Sequence, residues 1–151
     1  GTLGAALAIF LAFRNNASYD RWWEARKLWG SLVNASRSWS RQVRTLAPLP
    51  EETVRRLILR QAAFAHALRI HLHRGIDWGE IETFLAPEEF HRIAGAEHPP
   101  LELLDLQARE LSLLPLDPII RAAFEHTLSA FTDIMGACER IKNTPLPREY
   151  D

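Results

Sequence analysis

Gly1 to Phe13 (GTLGAALAIFLAF) carries no charge, and polar residues then crowd in abruptly from Arg14 to Arg21. Ala5, Ile9 and Phe13 recur every four residues, so they follow one helical face with a slow drift. Gly1, Gly4, Ala6, Ala8 and Ala12 are small enough to let helices approach closely. No proline interrupts the chain up to about Leu46, and the only glycine after the apolar run is Gly30. The pattern predicts one long helix, with Asn15–Ser18 or Gly30 as the places for a kink. Asp20 with Glu24, and Glu24 with Lys27, sit at helical pair spacing. Pro48-Leu49-Pro50 ends this element, and Glu51-Glu52 puts negative charge on the first turn of a second helix running to about Arg74 and stopping at Gly75. Short helical turns are expected over Glu80–Leu85 and Pro87–Ile93, then a third helix from Pro100 to about Leu113. Asp117-Pro118 is a cap followed by proline at the first helical position, opening a fourth helix to about Ile141. Asn143-Thr-Pro-Leu-Pro147 then breaks the chain. No alternating strand pattern appears, so the fold class is all-α: a long N-terminal helix followed by a helical bundle.

Composition narrows the function. With 47% apolar and 25% charged residues, the 151-residue chain matches an ordinary globular domain with a real core. A formal charge of −1 supplies no overall field for nucleic acid, and no such partner is expected. A single cysteine, Cys138, excludes an intramolecular disulfide framework. The apolar run is unusual: thirteen helical residues span about 20 Å, against about 30 Å for a bilayer core. It is either a buried helix or the tail of a longer membrane helix, and the start at Gly1 rather than Met favours the second. No basic residues precede it as a signal peptide would require.

Each candidate constellation has a plain alternative. The Ala5, Ile9 and Phe13 face would suit an apolar pore lining, gating ions by dewetting; periodicity alone equally describes a core helix. The step from apolar to polar at Arg14-Asn15-Asn16 marks either a membrane or pore boundary or a helix leaving a protein core. Trp22, Trp23, Trp29 and Trp39 lie beyond it, and packing against neighbouring helices or subunits suits them better than an aromatic belt. His66 and His73 share a face of the second helix, His71 falls off it, and no cysteine or paired carboxylate joins them, so no metal site is expected. Cys138 has no partner that the sequence can place beside it, and phosphate-cradling loops are absent. No enzyme and no cofactor are indicated.

Two long ordered stretches carry a resemblance. Phe13 to Gly30 (FRNNASYDRWWEARKLWG) and Cys138 to Pro147 (CERIKNTPLP) closely resemble the signatures of bacterial bestrophin-family proteins. The resemblance implies a pentameric channel in the bacterial inner membrane, passing inorganic ions along a five-fold axis. The family is named for anion (chloride) channels, with cation conduction in some bacterial relatives as the alternative, and a soluble helical oligomerisation module as the reading from another class. On matching positions, Ala5, Ile9 and Phe13 would be the hydrophobic neck, Ala5 departing from the family's usual bulky residue. Ile119, behind Asp117-Pro118, would form the cytosolic aperture. Arg14, Asn15, Asn16, Asp20, Arg21, Trp22 and Trp23 belong to the shared motif. Residues 1–13 would then be the cytosolic-side end of a pore helix. Residues 14–147 would be a cytosolic helical domain, and 148–151 the start of a connector to a further membrane helix. Contact with the lipid would come through membrane helices beyond these residues.

Overall fold

The computed structural model describes residues 16–144, with Gly4 alone before them. Residues 16–144 hold five α-helices and one short 3-10 helix: α1 (Asn16–Thr45), α2 (Glu51–Leu72), the 3-10 turn (Gly79–Phe84), α3 (Pro87–Ala94), α4 (Pro99–Ser112) and α5 (Pro118–Asn143). No strand occurs among the described residues, as the sequence predicts. The helix starts follow local chemistry. Proline takes the first turn of α3, α4 and α5, where its missing N–H costs nothing. Asp117 caps α5 by accepting from the Ile119 N–H at 2.8 Å, and His98 Nδ1 caps α4 by accepting from Leu101 N–H at 3.2 Å. α1 is unbroken through Gly30.

The end of α2 corrects the expected boundary. The helix stops at Leu72, and Arg74 turns it off with a left-handed φ of 54°. Arg74 N–H donates to His71 O at 3.0 Å and Gly75 N–H to Ile70 O at 2.9 Å, the paired bonds of a Schellman ending. Gly75 is required for closeness rather than for φ: an added Cβ would meet Ile70 Cγ2 at 2.9 Å.

The core is built from one face of each long helix. α1 contributes Leu32, Trp39 and Val43, α2 Leu57, Phe64 and Leu68, α4 Leu103 and Leu111, and α5 Phe124, Leu128, Phe131 and Met135. Spacings of three, four, seven and eight keep these on single stripes. Trp39 is fully buried, and its ring meets Phe124 and Phe131 edge-on at 5.8 and 6.4 Å. Its indole N–H donates to Leu57 O at 3.0 Å, and Gln107 Nε2 donates to the same carbonyl at 2.7 Å. One α2 carbonyl thus fastens α1 and α4. Burial of a large apolar side chain of this kind contributes about 1.5–3 kcal/mol.

A charged seam closes the α2–α3–α4 side. Buried Arg60 bridges Glu89 and Glu110, each at 2.5 Å, and Arg56 also binds Glu110 at 2.5 Å. Burial pushes the Glu110 carboxyl up, but the hydrogen bonds from Arg56 and Arg60 outweigh it and hold it below the usual carboxylate range.

Candidate functional site

Ala5, Ile9, Phe13, Arg14 and Asn15 lie outside the described residues, as do Pro145 to Asp151. Asn16 opens α1. From there the motif residues divide by helical face. Asp20 is exposed. Arg21 turns inward and its Nη2 donates to Ile141 O on the last turn of α5. Glu24 accepts from Arg140 Nη2 at 2.6 Å, so it pairs across to α5, while Lys27 lies over the Trp23 ring at 5.9 Å. The first motif is therefore fastened to the second.

The tryptophans do not behave as one group. Trp39 enters the core, whereas Trp22, Trp23 and Trp29 remain 44%, 48% and 45% exposed. Of the packing expected against neighbouring helices or subunits, only Trp39 finds a full partner among this chain's own helices. The inward stripe of α1 runs through Arg21, Glu24, Leu28, Leu32, Ala35 and Trp39, and positions 22, 23 and 29 fall beside it. Trp22, Ala25, Trp29 and Val33 instead make a second, outward apolar stripe at the same three–four spacing. Trp22 stacks on Tyr19 at 6.2 Å and carries the Arg26 guanidinium at 5.7 Å. Beside this stripe lies an open groove of about 370 Å³, walled by Trp22, Trp29, Leu72, His73, Cys138 and Ile141.

The head of α5 is the second place of interest. Asp117 and Pro118 fix the first turn, and Ile119 projects from it with 81% exposure.

The third place was not foreseen. His71 Nε2 and His98 Nε2 each lie 2.8 Å from the same oxygen, Glu139 Oε2, with the two rings 4.4 Å apart. Burial pushes the Glu139 carboxyl up, but the hydrogen bonds from His71 and His98 hold it below the ordinary range. Cys138 next to it moves the other way: burial, then the Glu139 charge, raise its thiol above the usual value. That is the opposite of an activated nucleophile. Spacing along one helix could not reveal this grouping, because its members come from α2, the α4 cap and α5.

The family described as Bacterial/Fungal Bestrophin protein matches residues 1–151. A protein of Ralstonia nicotianae named voltage-dependent anion channel-forming protein is 41% identical over 98% of this chain and 50% of its own length. The similarly named YneE of Escherichia coli is 38% identical over 98% and 50%. A crystal structure of a bacterial bestrophin homolog from Klebsiella pneumoniae, in a single-substitution form, superposes with a TM-score of 0.84 at 34% identity, covering 97% of this chain and 56% of that one. The chain spans about half the length of the curated relatives it matches. On the match across all its residues, the chain belongs to the bacterial and fungal bestrophin family.

Proposed function

We propose that this chain is the central part of a subunit of an anion channel in the bacterial inner membrane, conducting passively through a hydrophobic neck, with chloride as its ion. The observation that carries the reading is similarity across nearly the whole chain to proteins named for anion-channel formation. That family context supports a channel rather than an enzyme. Residues 1–13 form the cytosolic-side end of the pore helix, with Ala5, Ile9 and Phe13 as the neck. Residues 14–147 form a cytosolic domain, and 148–151 begin the connector to the next membrane helix. No helix among the described residues is long and apolar enough to cross a membrane. Ile119, exposed on a capped helix end, forms the cytosolic aperture. An ion passing an apolar ring sheds water without replacement, so a small change in radius changes permeation steeply.

A conduit of this kind needs several copies around an axis, and a homopentamer is the assembly proposed. The outward stripe of Trp22, Trp29 and Val33 supports an intersubunit contact. Single-channel recording of the whole protein tests the reading. Ile9→Ala, Phe13→Ala and Ile119→Ala each widen a ring and raise conductance. Unchanged currents in all three remove these residues from the ion path. A reversal potential in a salt gradient that follows the cation assigns the pore to cations instead.

A further inference from the structure

We propose that His71, His98 and Glu139 form a binding site for a divalent transition cation of the zinc class. The three residues come from separate elements: the last turns of α2, the residue capping α4, and the C-terminal turns of α5. One ligand atom from each lies within 4.8 Å of the others. Their side chains are 27%, 29% and 30% exposed, so an ion reaches them from solvent while the backbone beneath is held by helices. Two imidazoles and one carboxylate are the donor set zinc takes when a position is left for water, and cobalt(II) and nickel(II) accept it too. Calcium needs six to eight oxygens, which this set does not supply.

The geometry also shows what the ion must displace. Neighbouring ligands of a tetrahedral zinc at about 2.0–2.1 Å stand roughly 3.3 Å apart, against the 2.8 Å hydrogen-bond spacing here. Entry therefore opens each His–Glu139 pair by about half an ångström, with the two imidazole nitrogens already within 4.8 Å of each other. His98 Nδ1 accepts from Leu101 N–H at 3.2 Å, so a neutral His98 carries its proton on Nε2, pointed at Glu139. Coordination through Nε2 moves that proton to Nδ1 and ends the Leu101 contact. Metal binding and the α4 cap are therefore alternatives. The bound ion clasps the C-terminal turns of α5 to α2 and α4. None of this depends on the ion that the channel conducts.

The test uses the whole protein, purified in detergent and stripped with a chelator. Calorimetric titration with zinc chloride is expected to show one zinc per chain. Cobalt chloride gives the visible bands of a four- or five-coordinate site. His71→Ala and Glu139→Gln each weaken zinc at least tenfold. His98→Asn does the same, and asparagine preserves the helix cap, so its far-ultraviolet circular dichroism stays unchanged and misfolding is excluded as the cause. His73→Ala, a neighbour outside the triad, leaves affinity intact. Zinc binding that survives His98→Asn and Glu139→Gln overturns the proposal, as does competition by equimolar calcium or no binding at 100-fold excess zinc.

Discussion

Replacing Trp22 and Trp29 together by alanine should loosen the assembly while leaving the fold of the single chain intact. Both rings stand on the outward stripe of α1, 44% and 45% exposed. A tryptophan buries up to about 250 Å², so each presents roughly 100 Å² for a neighbour to cover. At about 25 cal/mol per Å² this corresponds to about 2.5 kcal/mol per ring, and about 5 kcal/mol for the pair. Incomplete coverage and side-chain ordering reduce it to about 2–3 kcal/mol per subunit contact, a weakening of roughly 30- to 150-fold. Native mass spectrometry of the protein diluted in detergent reads this as subunits appearing at higher concentration than in the parent. Trp39→Phe is the contrast. It removes the 3.0 Å bond to Leu57 O inside the core, so it should lower melting temperature and leave subunit stoichiometry unchanged. If the double alanine variant dissociates at the same concentration as the parent, the outward stripe is not an interface and the reasoning fails.

Three further outcomes follow from the helix ends and the charged seam. Arg60→Met should destabilise by about 2–4 kcal/mol at neutral pH in urea titrations, below the full cost of an uncompensated interior charge because Arg56 still holds Glu110. Glu110 is held below its usual range, so its contribution is present above the ordinary carboxylate range and fades as pH falls through the depressed value; the deficit of the variant should narrow in acid. Asp117→Ala removes the 2.8 Å cap on Ile119 N–H and should cost about 1 kcal/mol by thermal denaturation. Arg74→Gly relieves a left-handed φ of 54° and should stabilise by up to about 1 kcal/mol in the same assay.

The order of elements was legible because its signals are local. Pro48-Leu49-Pro50, Pro99-Pro100 and Asp117-Pro118 each act on the turn in which they sit, and the helices start there. The end of α2 was misplaced because Gly75 is the usual left-handed residue, yet Arg74 takes that role and Gly75 serves Ile70. Trp39 could not be told from Trp22 or Trp29 by composition, since a rotation of the helix by one position moves a ring from core to surface. The His71–Glu139 and His98–Glu139 contacts bridge 68 and 41 residues, and no pattern along one helix reports on pairs so far apart. The resemblance, by contrast, needed only two ordered stretches.

The fastening of α1 to the last turns of α5 bears on the order in which the chain acquires its structure. The Arg21–Ile141 and Glu24–Arg140 ties close loops of 120 and 116 residues, whereas Arg60–Glu89 closes one of 29. Short loops close first, and long ones wait for the rest of the fold to bring their ends together. During synthesis the ribosome must add about 120 residues after Arg21 before its partner exists, roughly 6–24 s at 5–20 residues per second. Through that interval α2 can already cover part of the Trp39 face through the Leu57 bond, 18 residues away, but the α5 side of α1 has no partner. The nascent chain is then at its most exposed to chaperones and to mispairing.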